Sequence, residues 1–332
     1  GAHHPERPDR LRAITQHLRE VGTWDRLDAW EPAPIDEDGL LLVHTPAHVE
    51  AMREFIRTGG GHIDADTVVS DGSWEAALRA AGGLVEAVDR VSSGRFDNAF
   101  CIVRPPGHHA TPDRAMGFCV FNNVAIATAW LRTRQRAERI AILDYDVHHG
   151  NGTQDAFYSR ADVLYVSTHQ YPLYPGTGHW RETGKGAGAG YTLNLSLPPG
   201  SGDDVYAAAL PSIIEPAVRR FAPDFILVSL GFDAFWDDPL ANLRLSIGGA
   251  YVPLLRSARD LAGNLCGGRL VVGLEGCYDL GALAHGADAV CRLLLDDEPA
   301  PDPLGPPPDQ LSAADVRSLL EAIRELHGLT DS

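Results

Sequence analysis

RIAILDYDVHHGNG, running from Arg139 to Gly152, is the stretch whose reading decides the fold. Ile140 to Leu143 is a short apolar run with no polar face, the pattern of a strand buried in a parallel sheet. Polarity then changes abruptly: Asp144, Asp146 and His148 follow at spacing two, with His149 beside them. Residues i, i+2 and i+4 of an extended chain point to one side. Two carboxylates and an imidazole therefore converge where the strand runs out, and Gly150-Asn151-Gly152 lets the backbone turn sharply away. Paired carboxylates repel unless a cation or a proton sits between them, which points to a metal site. The bland alternative is a polar turn whose acidic residues fall there by chance.

The surrounding chain has ordinary globular composition. It has 332 residues, 44% hydrophobic and 22% charged, with 34 glycines and 23 prolines, enough for a large core. Length alone suggests two domains, but α/β folds often run this long as one. Acidic residues outnumber basic ones 45 to 28, a net charge of −17 with histidines neutral. That balance argues against gripping a nucleic-acid backbone or an anionic membrane, and is compatible with a cationic substrate. No apolar run reaches the roughly 18 residues of a membrane helix, and no signal peptide opens the chain. Cys101, Cys119, Cys266, Cys277 and Cys291 are odd in number and lack CxxC spacing. They read as reduced core thiols of a cytoplasmic protein.

Helix and strand patterns alternate on both sides of the opening stretch. Upstream, helices are predicted over about Asp9–Val21, Pro46–Thr58 (stopped by Gly59-Gly60-Gly61) and Ser73–Val91. Ala99–Val103 is an apolar strand leading into Arg104-Pro105-Pro106-Gly107-His108-His109, and Phe121–Thr133 is helical. Downstream, strands are predicted at Val163–Ser167, Tyr191–Leu195, Phe225–Leu230 and Leu270–Leu274, with helices at Val205–Phe221 and Ala250–Leu265. Tyr171–Gly190 is a glycine-rich loop. An irregular tail rich in Pro and Asp follows from Asp296, and a last amphipathic helix spans about Ser312–His327. This alternation specifies a parallel sheet with helices on both faces. With no internal repeat and no mid-chain linker, residues 1–332 read as one domain. No strand precedes the first helix, so natural N-terminal residues are expected to be missing.

Ligands of open α/β sheets bind beyond the carboxyl ends of the strands. Four strand exits carry unusual chemistry: His108-His109, Asp144 to His149, Asp233 and Tyr278. Each alone has a dull explanation, as a surface histidine pair, a helix cap or a packed tyrosine. Their shared position at one end of a sheet favours a site. Asp146, His148 and Asp233 would supply two carboxylate oxygens and one imidazole nitrogen and leave a position open for water, the pattern of a catalytic zinc. Fe(II) or another divalent ion also suits oxygen-rich ligation. A histidine of the 108–109 pair could accept the proton of water and return it to a leaving amine. A tyrosine hydroxyl could bind the developing oxyanion. Together these parts specify metal-assisted amide hydrolysis.

RPPGHHA (Arg104–Ala110), MGFCVFNNVAIA (Met116–Ala127), LDYDVHHGNGTQ (Leu143–Gln154), SLGFDA (Ser229–Ala234) and LEGCYD (Leu274–Asp279) resemble the zinc-dependent histone deacetylase family. That family includes bacterial deacetylase-like amidohydrolases, acetylpolyamine amidohydrolases and acetoin-utilisation proteins. HPERPDR (His4–Arg10) and PGTG (Pro175–Gly178) match as well, so the resemblance covers nearly the whole chain in family order. It implies the arginase/deacetylase fold, a single α/β domain with an eight-stranded parallel sheet.

By the same resemblance, Asp146, His148 and Asp233 are expected to ligate zinc. His109 is expected to act as general base and then acid, with His108 as its electrostatic partner. Asp144 matches the carboxylate that orients His108. Asn151 stands where class I enzymes have an aspartate, as in class II, which should make His109 easier to deprotonate. Tyr278 matches the tyrosine of the transition state. Gly117 would accept a hydrogen bond from the substrate amide through its carbonyl, and Phe118 and Tyr174 match the aromatic walls of an acyl-lysine tunnel. Oxygens around Asp144, Asp146, His148, Ser167 and Thr168 are implied to hold a structural potassium ion. Arg10 matches the arginine near an internal acetate exit.

Two departures stand out. The family has Gly-Gly-Tyr in the loop of the tyrosine, where this chain has Gly276-Cys277-Tyr278, so the loop's backbone angles are in question. Leu240 occupies the position, seven residues after Asp233, where a polyamine-selective relative has a glutamate. Leucine offers no counter-charge to a second ammonium, which favours an acyl-lysine peptide over acetylpolyamines. The competing readings are an acetylpolyamine or other small acetylated-amine amidohydrolase, a silent binding module, and an arginase-like manganese hydrolase. A homo-oligomer is compatible with the sequence.

Overall fold

Strands that lack a polar face must be covered on both sides, and the order of elements supplies that cover. The computed structural model describes residues 4–329, so the expected domain limits at Gly1 and Ser332 lie outside the described residues. The N-terminal part contains α1 (Asp9–Glu20), the one-turn α2 (Glu37–Leu40), α3 (Pro46–Arg57), a hairpin of β1 (Gly61–His62) and β2 (Val68–Val69), and α4 (Ser73–Ser92). Then follow β3 (Asn98–Cys101), α5 (Asn123–Thr133), β4 (Ile140–Asp144), α6 (Asn151–Phe157), β5 (Val163–Gln170) and β6 (Thr192–Leu197). The remainder is α7 (Asp203–Ala209), α8 (Glu215–Phe221), β7 (Phe225–Leu230), α9 (Val252–Cys266), β8 (Leu270–Leu274), α10 (Leu280–Leu294) and α11 (Arg317–Leu326).

The central sheet is parallel, ordered β3-β8-β7-β4-β5-β6. It has six strands where eight were expected. β1 and β2 pair only with each other, antiparallel. The extended segment before α2 contains Pro32 and Pro34, which have no N–H to give to a ladder. Alternate residues of the sheet feed two cores. Ile140, Ile142, Leu227 and Val271 pack toward α4 and α5, whereas Ala141, Leu143, Val228 and Val272 face the core formed with α9 and α10. Every residue of β4, β5, β6, β7 and β8 is buried.

Two expected helices are interrupted. The run Val205–Phe221 is α7 and α8 joined by a π turn at Leu210–Ile214, and α9 is preceded by another at Ile247–Tyr251. Pro211, Pro216 and Pro253 lie in or beside these turns, and each removes one N–H from the helical ladder. Gly150-Asn151-Gly152, expected as a sharp turn away, is instead the start of α6, with Gly150 at its cap. α10 was not expected. Its polar stripe is thin, His285, Asp288 and Arg292 at helical spacing in an otherwise apolar run, and Asp279 caps it by accepting from Ala282 N at 2.7 Å.

Leu227 lies in the middle of the sheet and is fully buried. Leu227→Ala should destabilise the chain by about 2–5 kcal/mol, read as a lowered midpoint of urea unfolding with an unchanged slope.

Candidate active site and metal centre

The metal-ligand candidates come from the two strands between which the sheet connections reverse direction. β4 leads to β5 on one side and β7 to β8 on the other, and the crevice at such a reversal is where open α/β sheets bind ligands. Asp144 pairs in register with Ser229 of β7. Asp146 and His148 thus leave β4 directly beside the loop that carries Asp233. One ligand atom from each residue lies within 4.8 Å of the other two. His148 Nδ1 is 3.1 Å from Asp146 Oδ1 and 3.2 Å from Asp233 Oδ2. Donor atoms about 2.0–2.2 Å from a tetrahedral ion lie about 3.3–3.6 Å apart, so these atoms stand slightly inside the spacing an ion between them needs.

The chemistry of the donor set fits a divalent cation. Among the described residues, only histidines form ion pairs with these two carboxylates. Burial first, and then the neighbouring charge of Asp146, pushes Asp233 up to about 7. That is the response of like charges sharing a dry site. Backbone N–H groups hold the carboxylates in place: Val147 N donates to Asp233 Oδ1 at 2.9 Å, and Gly276 N to Asp146 Oδ2 at 2.8 Å. A Cβ on Gly276 would fall 2.1 Å from Asp233 Oδ2, and one on Gly231 would fall 2.1 Å from Asp146 Oδ2. The carboxylates can approach the backbone this closely only past glycine.

The two histidines at the exit of β3 have opposite electrostatic settings. His108 Nδ1 bonds to Asp144 Oδ2 at 3.1 Å, and that same oxygen accepts from Tyr165 Oη at 2.8 Å. Burial alone would lower the His108 pKa, but Asp146 and then Asp144 outweigh it and hold the imidazole well above its usual value. His109 is pushed well below the usual value, by burial first and then by the positive His108 and His148. Its Nδ1 bonds to Asn151 Oδ1 at 2.9 Å, while Asn151 Nδ2 donates to the His109 carbonyl at 3.3 Å. An amide oxygen facing Nδ1 places the ring proton there and leaves Nε2 free to accept a proton. Environments that separate the pKa values of two neighbouring groups mark distinct acid and base roles.

A narrow pocket of about 190 Å³ opens above these groups. His108, His109, Asp146 and His148 line its floor, and Gly117, Phe118, Tyr174 and Tyr278 its walls. The Tyr174 ring stands 5.1 Å from that of His109, and Phe118 stands 5.8 Å from Tyr278, both edge-on. Gly117 and Phe118 have φ of 55° and 67°. A Cβ on Gly117 would meet His109 Cδ2 at 2.4 Å, so this left-handed turn brings the wall against the base. The Gly117 carbonyl accepts from Cys119 Sγ at 3.3 Å. Leu240 sits at the rim, 37% exposed. Asp144, Asn151 and Asp233 lie behind the pocket surface. Every site residue expected from the sequence is in this one assembly.

Sequence reasoning missed three acidic residues. Asp66, in the turn of the β1–β2 hairpin, lines the pocket opposite the histidines; the glycine stop before it was read, but the hairpin was not. Glu275, fully inside, accepts from Gly107 N at 2.6 Å, His108 N at 3.2 Å and Ser229 Oγ at 3.0 Å. An acid directly after the apolar run Leu270–Leu274 was the available signal. Asp238 binds the backbone of the tyrosine loop. His149 points away from the metal candidates. It bonds to Thr177 Oγ1 at 2.8 Å and Gln154 Oε1 at 3.0 Å, which anchors the loop bearing Tyr174. Arg10, fully buried, donates to the carbonyls of Glu275 and Cys277.

Comparison with known proteins agrees with this geometry. The family model described as the histone deacetylase domain matches residues 4–294. A probable deacetylase of Archaeoglobus fulgidus is 46% identical over 285 residues, covering 85% of this chain and 79% of that protein. A histone deacetylase-like amidohydrolase of Pseudomonas aeruginosa is 41% identical over 279 residues, covering 84% and 73%. The crystal structure of the HD domain of HDA15 superposes with a TM-score of 0.88 at 35% identity, covering 98% of this chain and 90% of that one. The fold, the single polar assembly at the strand ends and these matches lead to one conclusion: the chain belongs to the histone deacetylase family.

Proposed function

We propose that the chain is a zinc-dependent amidohydrolase that removes an acetyl or other acyl group from lysine side chains. The observation that carries this reading is the carboxylate–carboxylate–imidazole set beneath a narrow pocket, beside a histidine pair with opposed pKa shifts. Asp146, His148 and Asp233 would hold the ion. When bound, it supplies Lewis acidity toward the amide carbonyl and toward water. His109 Nε2 accepts a proton from the attacking water and delivers it to the leaving amine, and Asn151 keeps its ring in the required tautomer. His108, held charged by Asp144, contributes a fixed positive field. Tyr278 Oη donates to the developing oxyanion. Phe118 and Tyr174 flank the aliphatic stem of the side chain and exclude water from it. Main-chain and side-chain oxygens around Asp144, Asp146, His148, Ser167 and Thr168 would hold a structural potassium ion.

A second reading, hydrolysis of small acetylated amines such as acetylpolyamines, is favoured by one observation. Leu240 brings no charge to the rim, but Asp66 does. Its carboxylate offers a counter-charge to an ammonium group, a stronger partner than a neutral peptide N–H. The cysteines, all free and buried, support a reducing, cytoplasmic location, and the acidic surface supports the absence of a nucleic-acid partner.

Comparing an acetyl-lysine peptide with acetylspermidine on one preparation tests the substrate class. The peptide should have the larger kcat/KM, and a preference for acetylspermidine would reverse the assignment. Asp233→Ala should leave the purified chain with far less than one equivalent of zinc by elemental analysis; stoichiometric zinc would remove Asp233 from the ligand set. Tyr278→Phe should lower kcat on the order of 100-fold with KM nearly unchanged, measured at saturating peptide.

A further inference from the structure

Asp238 has no assigned role, yet its carboxylate is buried and bonds only to backbone N–H groups on two walls of the pocket. Oδ2 accepts from Tyr278 N at 2.8 Å and from Asp279 N at 3.3 Å. Oδ1 accepts from Leu240 N at 3.0 Å. Among the described residues Asp238 forms no ion pair, and it is only 6% exposed. One buried acid therefore joins the segment carrying Tyr278 to the rim at Leu240.

That segment needs an external hold. Cys277 lies at φ 140°, a backbone conformation that residues with a side chain rarely adopt. Its neighbours are bound in alternating directions. Arg10 takes the carbonyls of Glu275 and Cys277, Asp146 takes the N–H of Gly276, and Asp238 takes those of Tyr278 and Asp279. Asp279 then caps α10. Of these holds, only the bond from Tyr278 N acts on the tyrosine's own backbone.

We propose that Asp238 is a positioning residue that fixes Tyr278 over the pocket floor and ties it to the rim at Leu240. It does not touch the substrate; it sets where the Tyr278 hydroxyl stands. Displacing a group that acts in the transition state costs turnover rather than ground-state binding. The kinetic consequence rests on the deacetylase reading, but the anchoring does not.

The test uses the full chain with Asp238→Asn, which keeps size and removes one acceptor, alongside Asp238→Ala. Against an acetyl-lysine peptide, kcat should fall on the order of 10- to 100-fold with KM and zinc content held within about threefold. In a Tyr278→Phe background the same substitutions should cost less than about twofold, because the hydroxyl they position is already gone. Amide hydrogen exchange reads the anchor without turnover: Tyr278 and Asp279 should exchange at least about 10-fold faster in both variants, with Gly276 unchanged. Equal losses in both backgrounds, or unchanged exchange at Tyr278, would overturn the proposal. Accelerated exchange in a chain that leaves acetyl-lysine untouched would sink the deacetylase reading and leave the anchor standing.

Discussion

The structure depends on a repulsion. Asp146 and Asp233 place two carboxylates in a dry site with His148 as their shared neighbour. Such a group is stable when a cation completes it and costly when bare. The adjacency of β4 and β7, set by the packing of the sheet, is what brings Asp146 and Asp233 together at neighbouring strand exits. Gly231 and Gly276 serve the same approach, because any side chain there would occupy the space of the carboxylates.

Around that centre, loops are stiffened by buried polar groups in addition to apolar packing such as that of Leu173 and Trp180. Glu275 holds the backbone of Gly107 and His108. His149 and Gln154 hold the loop that bears Tyr174, where Glu182 accepts from Gln154 Nε2 at 2.7 Å and from Gly178 N at 3.2 Å. In water such bonds would contribute little. In this interior each would leave an unsatisfied donor or acceptor if broken, at about 1–3 kcal/mol. Loops tied in this way can carry the site without the mobility usual of loops.

Much of the fold was legible because its signals are local. β7 and β8 were read at their observed limits, and α1, α3 and α4 to within a residue or so, because apolar runs, proline starts and glycine stops are written in consecutive residues. The segments misread are those where local and tertiary preferences disagree. Gly150-Asn151-Gly152 looks like a breaker, yet it begins α6, since Gly150 packs against Asp144 and Tyr165 where a Cβ would stand 2.3 Å from Asp144 Oδ2. α10 was missed because its polar stripe is only His285, Asp288 and Arg292, the rest of the helix being largely apolar and buried.

Of the site, the sequence by itself determined the chemistry. The run Asp144, Asp146 and His148 supplies the polar groups just where β4 ends, although Asp146 and His148 meet in a bend beyond the strand while Asp144 turns to His108. The adjacent pair His108-His109 is in place before any folding is considered. Tertiary structure alone decided which groups meet. Asp233 lies 85 residues from His148 along the chain, and only the reversal of connections between β4 and β7 brings it to the same ion. Asp66 and Asp238 have no neighbours in sequence that announce them, and Glu275 only its place after an apolar run, because their roles are hydrogen bonds and pocket walls formed across elements. Local sequence supplies the side chain, but the partner it meets is set by the packing of the sheet.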